Sequence, residues 1–474
     1  MKSCLKSINV KRIKYWLIAL CYVSFLIHFF AYETVYYFNI NSSIFSILFS
    51  AHIVFCLSFL IIKKSNTSWV LFFGLLCLLI STNGRAGWLG FLVAVFYVIY
   101  NTHPNKFNLK KYLGLCLLLV GVAISSIFFI KRNSTSGRFL IYKTSLNILK
   151  NNWVTGIGYG KFKVQYNLAQ ANYFVNNNID SKEAFLADNT YYAFNDYLQF
   201  IIEFGFLGIV LLGILLAIIF LQISLTPKIV KYKTLYVGCN GALISIAVGA
   251  MFSYPMQHYI IQLCTLTSLL IVATIIIKQQ ILSKLKLVCY KMYSLLLLGL
   301  IIFITGLFCF KQIFSLKKQE AYNLQKIGYN TDALLLHKQL ANSKMADGEL
   351  FYTYAQSLYI TNKLADAKIM LQKSQVLVTF NGQYILAANI ENELKNYTKA
   401  EQYFKTAIYM VPNRMVSRKN LLDFYVQQKD TPNALLWANS ILNMPIKVPS
   451  TITDNIKNTT QKIYNALIVN KNEF

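Results

Sequence analysis

Two arginines, two carboxylates and a glycine-rich turn are the residues of this sequence whose types and spacing could do chemistry. Arg85 stands in Ser81-Thr82-Asn83-Gly84-Arg85-Ala86-Gly87-Trp88, and Arg138 in Ser136-Gly137-Arg138. A guanidinium grips a diphosphate through two parallel N–H donors, which an ammonium does not offer. The glycines around Arg85 leave room for a ligand to come close. Gly156, Gly158 and Gly160 fall in Thr155-Gly156-Ile157-Gly158-Tyr159-Gly160. No strand precedes them, so a dinucleotide site is disfavoured and a tight turn beside an anionic ligand is expected. Asp196 is a candidate general base for a hydroxyl, and Asn195 or Asp196 also suits the N-cap of the helix that follows. Glu203 lies in an apolar run, where a carboxylate needs a partner, and Arg85 or Arg138 is the expected one. Trp153 and Tyr159 present aromatic faces of the kind that stack on sugar rings.

Composition sets the elements that must position these residues. The chain has 474 residues, 56% hydrophobic and only 14% charged, with a mean hydropathy of +0.45. A soluble domain carries about 25% charged residues, and a disordered chain is poorer in large apolar side chains. Both classes are excluded for most of the chain, and an integral membrane protein in a lipid bilayer is expected. A formal net charge of +28 would otherwise suggest nucleic acid. Here the basic residues gather in short connections between apolar runs, where they hold topology, so no nucleic-acid partner is expected. The nine cysteines are scattered singly without a C-x-x-C and read as small hydrophobes. No cluster has metal-ligand spacing, so neither a metal nor another cofactor is expected.

A spanning helix needs about 20 mostly apolar residues. The candidate spans are 15–32, 44–62, 66–82, 86–100, 112–130, 197–222, 235–252, 258–277 and 292–310. The first follows Lys2, Lys6, Lys11, Arg12 and Lys14 and lacks a small-residue cleavage site, which predicts a retained signal anchor. With the N-terminus inside, the inner connections hold seventeen Lys and Arg, while the short outer ones hold only Arg85. That bias predicts nine spans, a cytoplasmic N-terminus, and an outer location for both the 131–196 loop and the C-terminal segment. The scarcity of intramembrane carboxylates disfavours an ion-coupled transporter.

The expected organisation is therefore five spans over 1–130, a large loop over 131–196, four spans over 197–312 and a separate domain over 313–474. In that last part Ala333, Ala367, Ala400 and Ala434 stand 34, 33 and 34 residues apart. Ala400, Phe404, Ala407 and Pro412 match the small, aromatic, small and proline positions of a tetratricopeptide repeat. The segment resembles an array of about four such repeats, which predicts an α-helical docking module for a protein partner. The fold class as a whole is all-α: a polytopic bundle followed by a helical repeat domain.

Three motifs together resemble the bacterial O-antigen ligase and O-antigen polymerase superfamily. Asn83-Gly84-Arg85-Ala86-Gly87-Trp88 looks like its first arginine segment. Ser136-Gly137-Arg138 with Gly156-x-Gly158-x-Gly160-x-Phe162 looks like its large-loop signature, and Asn195, nine residues and Gly205-Phe206-Leu207-Gly208 fit its third motif. The resemblance implies a periplasmic glycosyltransferase of the bacterial inner membrane. It would move a glycan from an undecaprenyl-diphosphate carrier to an acceptor, either lipid A-core or a growing polysaccharide. Arg85 and Arg138 would hold the diphosphate, with Asn195, Glu203, Trp153, Tyr159 and the turn glycines binding substrate. Where the family carries a functional histidine, this chain has Phe194. Either Asp196 takes that role, or the reaction leans on diphosphate stabilisation alone, or the chain is not a ligase. Of the histidines only His258, opening the eighth span on the outer side, is placed to approach. A protein O-oligosaccharyltransferase of the same superfamily and an inactive envelope scaffold are the alternatives.

Overall fold

The computed structural model describes residues 42–63, 66–102, 132–225, 232–276 and 310–472, with single positions at 299 and 306. The expected spans 15–32 and 112–130, and nearly all of 292–310, lie outside the described residues. Every regular element among those described is a helix. In chain order the first are α1 (Ser42–Lys63), α2 (Asn66–Ser81), α3 (Arg85–Thr102), α4 (Arg132–Asn152), α5 (Phe162–Val175) and α6 (Lys182–Leu186). Next come α7 (Asp196–Phe204), α8 (Phe206–Leu225), α9 (Lys233–Ala250) and α10 (Tyr259–Ile276), with a 3-10 turn at Pro255–Gln257. Then follow α11 (residues 310–326), α12 (Asn330–Ala341), α13 (Gly348–Ile360), α14 (Leu364–Leu377) and α15 (Asn381–Glu393). The last are α16 (Tyr397–Met410), α17 (Met415–Gln427), α18 (Thr431–Asn443) and α19 (Thr451–Asn472).

The chain divides into two units. Met1–Ile130, Phe194–Tyr197 and Val210–Gly306 form the first, and Lys131–Ala193, Leu198–Ile209 and Leu307–Phe474 the second. The large loop thus falls with the C-terminal segment, a grouping that boundaries at 131, 197 and 313 do not anticipate.

In the first unit α1 is the central helix, packed by α2, α3 and α9. Lipid tails are as apolar as leucine, so apolar helices associate through close packing and polar contacts rather than through the hydrophobic effect. The sequence supplies both. Ser50 Oγ meets Ser245 Oγ at 2.6 Å, and Ser58 Oγ donates to the Thr234 carbonyl at 3.1 Å. A Cβ on Gly87 would stand 2.3 Å from the Ser46 carbonyl oxygen, and one on Gly90 would stand 2.4 Å from that of Ser245. The glycines beside Arg85 therefore seat α3 against its neighbours, which corrects the expectation that they open a path for a ligand.

Ser42–Ile62 and Tyr259–Ile276 are long and apolar enough to cross a membrane, and Trp69–Ser81 and Phe206–Ile219 are shorter apolar helices. On α8, Phe206, Ile209, Ile214, Leu216 and Leu221 are all exposed. An apolar helix left uncovered by protein is what a lipid-facing element requires. The run 197–222, expected as one span, is two helices. Gly205 adopts φ +60 between α7 and α8, a left-handed turn that an α-helix cannot continue through.

The C-terminal part of the second unit is a series of four helical hairpins: α11 with α12, α13 with α14, α15 with α16, and α17 with α18. Each first helix ends on one left-handed residue, and these are Gly328, Asn362, Lys395 and Lys429. They recur with the same spacing as Ala333, Ala367, Ala400 and Ala434, each of which is fully buried in the second helix of its hairpin. The small side chain lets the two helices approach closely. The last hairpin is covered by α19, whose Ile456, Ile463 and Leu467 pack onto the cluster around Phe424, Trp437 and Ile441.

One buried group makes this unit sensitive to acid. His337 is fully buried on α12, with Nδ1 at 3.1 Å from Ser357 Oγ. Burial pushes its pKa down to about 4, against a backbone hydrogen bond to Ala333 that acts the other way. A histidine whose folded pKa lies below its unfolded value stabilises above the unfolded pKa of about 6.5, and that stability is lost as pH falls toward 4. Hydrogen exchange of α12 and α13 in the whole protein should accelerate between pH 6.5 and 4. His337→Gln, which keeps a hydrogen-bonding group without titrating, should flatten that dependence.

Candidate active site

The glycine-rich turn and the break after α7 turn out to be one structure. At the end of α7, the carbonyls of Ile202 and Glu203 lose their helical partners because Gly205 turns the chain away. The N–H of Ile157 bonds to the Ile202 oxygen at 3.0 Å, and that of Gly158 to the Glu203 oxygen at 2.9 Å. In return the Phe206 N–H reaches the Val154 oxygen at 3.2 Å. The two backbones lie so close that a Cβ on Gly156 would stand 2.3 Å from the Glu203 oxygen, and one on Gly205 would stand 2.4 Å from the Gly156 nitrogen. Both glycines also hold positive φ. This gives Gly156 and Gly158 a packing task that the sequence reading, which set them beside an anionic ligand, did not foresee.

Gly160 serves the side chain of the same helix. Its N–H donates to Glu203 Oε2 at 2.9 Å, while Gln199 Nε2 donates to Oε1 at 3.1 Å. Glu203 is 5% exposed, and its carboxyl group is held by two neutral donors inside the protein. No ion pair to Glu203 occurs among the described residues. The expected arginine partner is replaced by a backbone amide and a glutamine. Gln199 in turn accepts the N–H of Ala193 at 3.1 Å. Trp153 and Tyr159 project from the turn, with Tyr159 81% exposed and its ring 5.9 Å from that of Phe204.

The two arginines lie on helices. Arg138 sits on α4 of the second unit rather than in irregular loop, one turn before Tyr142. Burial raises the Tyr142 phenol, and the Arg138 charge pulls it back down. Arg85 is the first residue of α3 in the first unit and is half-buried. A cation at a helix N-terminus is disfavoured by about 0.3–1 kcal/mol, because the helix end already carries positive partial charge. An anionic ligand reverses that cost, since the charge and the N–H groups then act together.

The third motif places aromatic groups and a histidine together in the first unit. Phe194 adopts φ +53, a region that bulky side chains rarely occupy and that histidine and asparagine enter more readily. Its ring packs edge-on against Tyr254 at 5.1 Å, and Tyr254 lies tilted against His258 at 5.7 Å. Asn195 precedes α7 in the cap position. Asp196, the expected base, turns its side chain to the neighbouring 3-10 turn, where Oδ2 accepts the Met256 N–H at 2.8 Å. The Tyr197 hydroxyl donates to the Ala247 carbonyl at 2.9 Å. Asp196 therefore holds the segment that carries His258, whose buried Nε2 has no hydrogen-bond partner among the described residues.

Sequence reasoning did not find Gln199 or Tyr254. Gln199 bonds Ala193 and Glu203 nearby in the chain, but only once the chain has turned after Ala193, whereas Tyr254 meets Phe194 from a distant segment. Among the described residues no group of three His, Cys, Asp or Glu could hold a metal ion. Neither curated proteins nor solved structures gave a match to the chain. Residues 69–213 match the family model described as O-antigen ligase, and this stretch, which holds Arg85, Arg138, the glycine turn, Asp196 and the break at Gly205, supports kinship with the O-antigen ligase superfamily.

Proposed function

We propose that the protein is a glycan ligase or polymerase of the bacterial inner membrane, moving a glycan from a polyprenyl-diphosphate carrier to a hydroxyl acceptor on the periplasmic face. The observation that carries this reading is the O-antigen ligase match over 69–213, which spans both arginines and the interlocked turn. The Lys and Arg bias of the connections supports a cytoplasmic N-terminus with the loop and hairpins outside. The 34-residue recurrence of buried alanines and left-handed turns supports reading the hairpins as tetratricopeptide-like.

In this reading the acceptor hydroxyl attacks the anomeric carbon, and the bond from that carbon to the diphosphate oxygen breaks. The diphosphate is already a good leaving group, so charge stabilisation matters more than acid help. Arg85 and Arg138 supply the guanidinium groups, and no metal is required. The hydroxyl proton passes to the His258 imidazole, with Asp196 as the residue that positions its turn. Trp153 and Tyr159 supply stacking faces for sugar. The acceptor is lipid A-core or a growing polysaccharide, and a serine or threonine of an exported protein is the alternative.

A strain lacking the protein should accumulate carrier-linked glycan, and the wild-type gene should clear it. Arg138→Ala should leave the accumulation in place while the protein remains in the membrane. Clearance by Arg138→Ala would favour a scaffold over an enzyme.

A further inference from the structure

The hairpins were expected to dock another protein, yet their inter-hairpin connections are already engaged by the loop. On α5, Asn167 and Gln170 lie three residues apart, on one helix face. Asn167 Nδ2 donates to the Thr379 carbonyl at 2.6 Å, and Gln170 Nε2 donates to that of Met410. Thr379 follows α14 and Met410 ends α16, so this face reads two successive connections of the array. The Thr379 N–H returns a bond to the Lys163 oxygen at 3.1 Å. Further along, Asn189 and Asn381 exchange bonds, Nδ2 to Oδ1 at 2.9 Å and N–H to Oδ1 at 3.1 Å.

The segment between is held through its backbone. Asn413 Nδ2 lies within reach of the carbonyls of Ala184, at 3.2 Å, Phe185, at 2.8 Å, and Ala187. Arg418 is 1% exposed and donates to Asp180 Oδ1 at 2.8 Å and to the Pro412 oxygen at 3.2 Å. Arg414 pairs with Asp188 at 2.9 Å. A buried arginine is tolerated only when its donors are satisfied, and here the loop provides the counter-charge.

Two short routes lead from this grip to Glu203. Lys163, held by Thr379, follows three residues after Gly160, which bonds the carboxylate. Asn189, held by Asn381, precedes Thr190, whose N–H is fixed by Asn167 Oδ1 at 2.9 Å, and Ala193, whose N–H is fixed by Gln199. Gln199 bonds the other carboxylate oxygen.

We propose that the partner of these hairpins is the chain's own loop, and that Asn381, Asn413 and Arg418 are positioning residues that set Glu203 and the glycine turn for transfer. The activity part of this proposal rests on the transferase reading, whereas the structural part stands apart from it. The test uses the full-length protein in lipid nanodiscs, with Asn413→Asp on the hairpin side and Asn189→Ala on the loop side. Asn413→Asp keeps shape but replaces a donor by an acceptor facing three carbonyls. Hydrogen exchange should quicken about tenfold at 179–190 and 157–163 in both variants, with α17 and α18 unchanged. Transfer of glycan from a polyprenyl-diphosphate donor should slow through kcat with little change in donor KM. Unchanged exchange at 157–163 in Asn189→Ala would overturn the proposal, even if Asn413→Asp unfolds the hairpins. A wild-type protein that transfers nothing would sink the transferase reading, while the exchange result would still judge the grip.

Discussion

Gly205→Ala should destabilise the protein by about 3 kcal/mol or more, and Gly156→Ala by a similar amount, whereas Gly160→Ala should cost only about 1–2 kcal/mol. All three glycines hold positive φ, so an added Cβ strains each backbone alike. Their surroundings differ. Gly156 and Gly205 face backbone atoms of each other's segments at less than a van der Waals distance, and nothing stands within 4 Å of a Cβ at Gly160. Relieving the first two clashes means parting Ile157 and Gly158 from the carbonyls that close α7, which leaves buried carbonyls unbonded. Thermal unfolding in detergent gives the comparison directly. Three equal shifts would show that only φ matters and that the turn and the helix break are not interlocked.

His258→Ala should slow glycan transfer by about 100-fold or more, as removal of a general base does. Added imidazole should restore part of that loss. Asp196 separates the two candidates for the base. If its carboxylate took the proton, Asp196→Asn would be as damaging as His258→Ala. As the residue that holds the Met256 N–H, it should tolerate asparagine, whose side-chain oxygen still accepts, and fail with alanine. We expect Asp196→Asn to retain activity within about fivefold of wild type and Asp196→Ala to lose about tenfold. The reverse order would return the base to Asp196. Phe194→His bears on the same point, because that backbone conformation suits histidine better than phenylalanine.

Period and composition made parts of this molecule legible in advance. The apolar runs under α1, α3, α9 and α10 are continuous, and the alanines at 34-residue spacing mark where the helices of each hairpin approach. What stayed hidden depends on distant pairs. Gly156 read as a local turn glycine and Gly205 as part of the third motif within one expected span, and nothing in either segment announces that each needs the other. Glu203 was expected to seek an arginine because charge was the visible feature, but the local fold offered two neutral donors first. Asn167, Asn189 and Asn413 drew no notice in the sequence, since an amide bonded to a distant segment has no signature in its own neighbourhood. Phe194 was legible as a departure from the family, while the ring contact with Tyr254 that leads to His258 was not.

The most direct measurement of the central proposal is release of polyprenyl diphosphate from a carrier-linked glycan by the purified protein in nanodiscs, with and without acceptor-bearing envelope lipid. The expected result is acceptor-dependent release by the wild type, slowed about 100-fold by Arg138→Ala and only partly restored by Arg138→Lys, since an ammonium does not reproduce the two parallel donors. Release at the same rate in Arg138→Ala, or none from the wild type with donor and acceptor from its own cell envelope, would contradict a transferase.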